Sequence, residues 1–419
     1  MPARRVVLGL AALALVGAVG CSNRLRDNPF DPGNPETGGR PPGFTAIAGE
    51  SRVLLSWNLV VSDQLAGYEL FRQAPGDTGF VLVNPLVTPD QTSYVDSNLV
   101  DDSTYAYRIR FVLTDGSRGT SSEAFARPGP ARIFVADAST GFITRVSPDG
   151  RARVFILPGL ETPNFVGVEP VQGRVWSTSR DQGIVAVWTA NGTLITVNGS
   201  LGAPGRVAPI PSSNDAWICD ERTGEVLRFN SGAGVTVSAE GFDLPSDVAV
   251  AGTGAWVADR DARRLVHITS AATIDFAESV PDKPWRLAYD FVNQELWVSY
   301  TEAGAVECRN NAGALRFRIE NLARPFTISF DTARSIAWIA EAAGDEVIAF
   351  DRTGAKLRTI AVIQPRGVAV DTRTGEVWVT SLGAGEGAGT LQHFAATGEL
   401  LSQLGLFVRP SAVDLDSAP

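Results

Sequence analysis

The chain has 419 residues, 44% of them apolar and only 20% charged, which is enough to bury two or three cores and too little charge for a mainly disordered chain. Its formal charge of −10 disfavours nucleic acid as a partner, because phosphate binding needs clustered Lys and Arg. Two His, and three Cys (Cys21, Cys219, Cys308) without metal-ligand spacing, leave little for metal chemistry, and no cofactor is implied. The 42 Gly and 25 Pro fit many short strands joined by tight turns.

Arg4 and Arg5 precede an apolar run, Val6–Val19, that is shorter than a membrane span and has the layout of a targeting segment. The run ends in Ala18-Val19-Gly20-Cys21, which resembles the bacterial lipobox. That resemblance implies a signal peptide over 1–20, cleavage before Cys21, lipidation of its thiol, and a membrane partner reached through the lipid. The family pattern favours Leu where Ala18 stands, and an ordinary secretory signal with an incidental Cys is the alternative. Ser22 rather than Asp follows the Cys. By resemblance to enterobacterial sorting rules this implies the outer membrane of a bacterial envelope. Residues 22–42, SNRLRDNPFDPGNPETGGRPP, have few apolar anchors, so 21–42 reads as the lipidated Cys and a flexible linker.

Residues 43–128 alternate short apolar runs with turns, predicting strands at 52–58, 67–73, 80–83, 93–95, 104–113 and 123–127. Asp115-Gly116 between the last two is a hairpin signal. Trp57 in LLSWN, Tyr68 opening GYELFR, and TSYVDSNLVDDSTYAYRIRFV further on resemble a fibronectin type III domain. The resemblance implies a two-sheet sandwich with Trp57 in its core and Tyr105 pinning a loop to the sheet, acting as a spacer or adhesive module.

From residue 131 onward the sequence repeats. Six tryptophans recur in one context, at Trp176, Trp217, Trp256, Trp297, Trp338 and Trp378, with separations of 41, 39, 41, 41 and 40 residues. Phe134 takes the same place 42 residues before Trp176. A second register, Pro-x-x-aliphatic, occurs at Pro163, Pro204, Pro245, Pro284, Pro325, Pro365 and Pro410. A period near 40 with about four short strands predicts propeller blades. The chain enters this region on the strand carrying Phe134 without an inner strand before it, and ends on RPSAVDLD, an inner strand without a blade after it. Pairing the two would complete a seventh blade and remove the exposed edges. PRGVAVDTRTGEVWVTS (365–381) resembles the NHL, YVTN and gluconolactonase group of propellers. The whole reads as all-β: a fibronectin type III sandwich (43–128), then a seven-bladed β-propeller (131–416) closed by its N- and C-terminal strands.

In a blade of this type the Pro-x-x segment starts the innermost strand at one mouth of the channel. Alternation then turns the second and fourth residues after Pro toward the channel. The fourth places hold Gly167, Ala208, Ala249, Ala288, Ser329, Ala369 and Asp414, small residues apart from the carboxylate. The second places include Phe165, Arg206, Asp247 and Arg286, and the first include Asn164, Trp285, Phe326 and Arg366. Arginine forks beside aromatic faces suit an anionic or sugar-like ligand, or a protein loop. Charges paired with one another at a solvated rim are the plainer alternative. Three residues after each aromatic marker stand Asp137, Ser179, Asp220, Asp259, Tyr300, Glu341 and Ser381, either a cation ring or, as in related propellers, groups that hold a neighbouring turn.

Two enzyme families share the architecture. Streptogramin-lyase-like propellers place a His at or near the start of an inner strand, whereas His267 and His393 fall on other strands. Gluconolactonase-like enzymes use a Glu, Asn and Asp set around a metal; Asn164 and Asp247 are available, but no Glu lies at the matching entry positions. The expectation is therefore a lipid-anchored, non-enzymatic binding or scaffold protein for a protein, peptide or glycan. A metal-dependent lactonase or lyase acting in the channel is the alternative.

Overall fold

A computed structural model describes residues 28–416 apart from 35, 36, 50, 102, 127 and 130. The apolar N-terminal run and Cys21 lie outside the described residues. Among those described, every sheet is antiparallel: eight have four strands and one has three.

The first unit contains β1 (Thr45–Gly49), β2 (Arg52–Ser56), β3 (Leu65–Gln73), β4 (Val81–Val87), β5 (Ser93–Ser97), β6 (Tyr105–Leu113) and β7 (Ser122–Ala126). Sheets β1-β2-β5 and β4-β3-β6-β7 share one core. Alternation decides which side chains enter it: Val53 and Leu55 of β2, and Tyr107, Ile109 and Phe111 of β6, are all fully buried. Trp57 packs on Tyr68 at 5.2 Å between ring centroids, and the Tyr105 hydroxyl accepts a hydrogen bond from the Val100 amide at 2.9 Å. The tyrosine thus ties the β5–β6 loop to the sheet. Six predicted strands are present within a few residues, while β1 was not predicted, its TAIAG having Ile47 as its one large apolar residue among small ones.

The predicted flexible linker does not hold for the described residues between 28 and 42. Phe30 is buried edge-on against Phe111 at 4.9 Å, the Ser122 hydroxyl donates to the Pro41 carbonyl, and the Thr120 amide donates to the Gly39 carbonyl. One aromatic anchor and a few backbone bonds outweigh a composition that otherwise favours solvent.

The remaining seven sheets follow the 40-residue period in a propeller-like arrangement. The inner strands are Pro163–Val168, Pro204–Pro209, Pro245–Ala251, Arg286–Asp290, Pro325–Asp331, Pro365–Val370 and Pro410–Leu415. Each contacts the next, and the last contacts the first. The last sheet is built from both ends of the region, Pro410–Leu415 pairing antiparallel with Ile133–Asp137. Proline suits the first place of these strands because its missing N–H falls where the ladder breaks. Each of the six that begin with Pro shifts register just after it.

The aromatic markers fill the space between sheets. Trp217 packs with Val248 and Val257 of the following sheet, Trp297 with Ile328 and Ile339, and Trp378 with Ile133, Val135 and Val413 of the closing sheet. All six are within 1% of complete burial. Small residues are required where the inner strands converge: a Cβ on Gly367 would sit 3.0 Å from the Val413 amide and 3.2 Å from the Ala412 Cα. The first unit touches the second through Asn58 Nδ2, which donates to the Val292 carbonyl at 3.1 Å.

Candidate functional site

The carboxylates three places after the markers hold turns. Asp220 accepts the amides of Gly202 and Ala203, Asp259 those of Asp243 and Leu244, and Asp137 those of Val408 and Arg409. In each case these are the two residues before the inner-strand proline. Glu341 takes the Ala323 amide in a related way. Asp137 makes the same staple across 271 residues of sequence, so the last sheet repeats the local device of the others. Among the described residues no three His, Cys, Asp or Glu side chains form a set that could hold a metal ion. Cys219 and Cys308 are buried and unpaired, and burial pushes both thiols up, Cys308 to about 12.

In the strands of Asn164, Phe326 and Arg366 the register shift after the proline leaves the first-place residue outside the ladder, and these residues help to build the mouth. Asn164, Phe165, Trp285, Arg286, Phe326 and Arg366 line one cavity of about 260 Å³ on the proline side of the ring. Arg286 is its floor. The side chain is 8% exposed, its Nη1 donates to the carbonyls of Ser246 at 2.7 Å and Trp285 at 3.2 Å, and its guanidinium lies 5.0, 4.9 and 5.8 Å from the rings of Phe165, Trp285 and Phe326. Burial pushes its pKa down, helped by the nearby Arg206 charge and opposed by Asp247.

Arg206, Asp247 and Asp414 do not join that mouth. In its strand the break in pairing runs from Pro204 to Val207, so Arg206 is free of the ladder. Its side chain lines a second cavity of about 230 Å³ at the opposite mouth, together with Asp414, Ala208, Ala249, Ala288 and Ser329. There Asp247 lies 3.4 Å from the Arg206 Nε, and Asp414 lines the same cavity. Asp247 is buried between the mouths, its Oδ2 accepting the Leu287 amide and its Oδ1 that of Val248. Asp414 accepts the Val168 amide at 2.8 Å, and burial raises its pKa to about 6 despite Arg206. Acid and base thus alternate along the channel in the order Arg286, Asp247, Arg206, Asp414.

Arg180, Glu221, Arg260 and Arg409 also line the first mouth and were missed from the sequence. The signal was available. Arg180, Glu221 and Arg260 stand four places after Trp176, Trp217 and Trp256, and Arg409 stands just before Pro410. Arg180 pairs with Glu221 at 2.6 Å and Arg260 with Glu302 at 2.7 Å, while Arg260 also lies 4.6 Å from the Trp285 ring. Burial raises the Glu221 pKa, with Arg180 opposing it. The site presents hydrogen-bond forks, aromatic faces and one carboxyl group, a set suited to holding a polar ligand.

No protein-family profile matches the sequence, and no curated protein is detectably similar to it in sequence. Solved structures do share its fold, and they define the class as propeller-like. A functionally unknown protein from Desulfotomaculum acetoxidans aligns at TM-score 0.59 and 9% identity, over 68% of this chain and 98% of its own. Apo AztD from Citrobacter koseri aligns at 0.54 and 11%, over 69% and 98%. A catalytically inactive virginiamycin B lyase from Staphylococcus aureus, solved with quinupristin, aligns at 0.51 and 14%, over 61% and 94%. At such identities the likeness concerns the fold alone.

Proposed function

We propose that the chain is a non-enzymatic binding lipoprotein of the bacterial envelope, tethered by lipid at Cys21. It presents a closed seven-bladed propeller of the NHL and YVTN type, spaced from the membrane by a fibronectin type III sandwich. The partner is a protein, peptide or glycan, and its contact group enters the proline-side mouth. The observation that carries the reading is the convergence of six separately predicted residues, from four inner strands, on one cavity floored by the buried Arg286. The strand pairing between residues 133–137 and 410–415 supports a closed ring, and the Tyr105 bond to Val100 supports the sandwich.

The test is capture of partners from envelope extract by the full chain. Trp285→Ala combined with Arg366→Ala removes an aromatic face and a cationic fork without touching the interior of a sheet. Loss of the captured partner with unchanged melting supports the mouth as the contact. Capture at wild-type level moves the contact elsewhere.

A further inference from the structure

Many of the described arginines pair with carboxylates. Arg110 and Arg118 share Glu69, Arg318 reaches Glu307 and Asp282, and Arg373 pairs with Asp371. At the proline-side mouth positive charge is in excess. Five arginines and one carboxylate line it, on a chain whose net charge is −10. Among the described residues no carboxylate pairs with Arg366 or Arg409, and nearby Arg324 is equally unmatched. Arg366 lies 5.2 Å from the Phe326 ring, and its pKa is lowered by burial and by the charges of Arg409 and Arg324. The mouth therefore carries unbalanced positive charge, in a recess that screens it less than open solvent does. Beside that charge stand Trp285 and Phe326, 6.0 Å apart and tilted, with the indole N–H of Trp285 lacking a protein acceptor.

We propose that this mouth takes an organic oxyanion, a carboxylate or phosphate group carried on an apolar body. The charged group sits among Arg366, Arg409 and Arg286, and the body lies against Trp285 and Phe326. This deepens the binding reading above and rests on it. Guanidinium forks match planar and tetrahedral oxyanions, and aromatic faces take the apolar part. The cavity, about 260 Å³, lies below the usual range for drug-sized ligands, so it fits a small acid or the end of a longer chain.

The experiment is calorimetric titration of the full chain with phenylacetate and phenyl phosphate. Benzyl alcohol serves as the uncharged control and inorganic phosphate as the control without a body. At least one organic anion is expected to bind tenfold or more tightly than both controls, with affinity falling as salt rises. Arg366→Gln combined with Arg409→Gln is expected to lose that binding at least tenfold while melting at the same temperature or higher, because the change relieves like-charge repulsion. A purely structural role for the pair would lower the melting temperature instead. Arg409→Gln alone, at an exposed position, repeats the test if the double variant folds poorly. The tighter of the two anions identifies the head group. The proposal is overturned if benzyl alcohol binds as well as both anions, if neither anion exceeds inorganic phosphate, or if the variants bind normally. Partner capture lost in the Trp285→Ala, Arg366→Ala protein, without organic-anion binding, would leave the mouth reading standing and remove only the ligand class.

Discussion

Asp414→Asn tests the channel electrostatics directly. Asp414 comes from the final strand, lies between the inner strands, and has its pKa raised from 3.8 to about 6 by burial, with Arg206 and the Val168 amide opposing the rise and Asp416 adding to it. Because the folded pKa lies above the unfolded one, the group's contribution to stability is fully present below pH 3.8 and is lost as pH rises through 6. A rise of this size corresponds to about 3 kcal/mol at 1.36 kcal/mol per unit, of which about 2.5 kcal/mol develops between pH 4 and 8. The carboxylate is reachable from the far mouth, and solvent screening trims the effect to about 2 kcal/mol. Asparagine keeps an acceptor for the Val168 amide and cannot ionise. The stability of Asp414→Asn relative to wild type should therefore rise by about 2 kcal/mol from pH 4 to pH 8. Urea unfolding of both proteins across that range measures the difference, and the other titrating groups cancel in it. Parallel profiles would refute the argument, since they would mean that Asp414 ionises normally within the channel.

Four further outcomes are expected. Truncation after Phe407 removes the strand paired with Ile133–Asp137 and the amides bound by Asp137, so melting of the ring should become broad and fall markedly; calorimetry showing an unchanged transition would count against closure. Trp297→Ala leaves a cavity between two sheets and should cost about 3–5 kcal/mol in chemical denaturation. Tyr105→Phe removes one hydrogen bond to the β5–β6 loop while keeping the ring buried, a loss of about 1 kcal/mol read by the same method on the first transition. Metal analysis of the purified full chain should find no stoichiometric divalent ion; a bound ion would favour the lactonase or lyase alternative, with Glu221 as the carboxyl group nearest to hand.

The repeat was legible because burial between sheets imposes the same demand on each unit. A large aromatic is needed at one place on the second strand, a proline where the ladder breaks, and a small residue where seven inner strands meet. Those demands recur at a fixed spacing, so Trp176 through Trp378 reveal the period without coordinates. The ring of Asp137, Asp220 and Asp259 was legible from the same spacing, but its turn-holding role came only from the resemblance to related propellers, beside a cation ring as the alternative. The first unit was partly legible: Trp57 is buried and Tyr105 binds the loop as expected, while β1 and the anchoring of Phe30 depended on contacts with no local signal.

The mouth was harder to read because it depends on direction rather than on spacing. Strict alternation predicts that Arg206, Asp247 and Arg286 face the same way, but the break from Pro204 to Val207 releases Arg206 from alternation while Asp247 and Arg286 stay paired in their ladders. Arg286 became the floor of one mouth, Arg206 turned to the other beside Asp414, and Asp247 was sealed between them. The sequence by itself determined that the chain is all-β, where its periods fall and which residues are available near the channel. Only the tertiary structure decided which of them meet, because a long charged side chain settles according to the summed field of strands that are distant in sequence, and no local pattern encodes that sum.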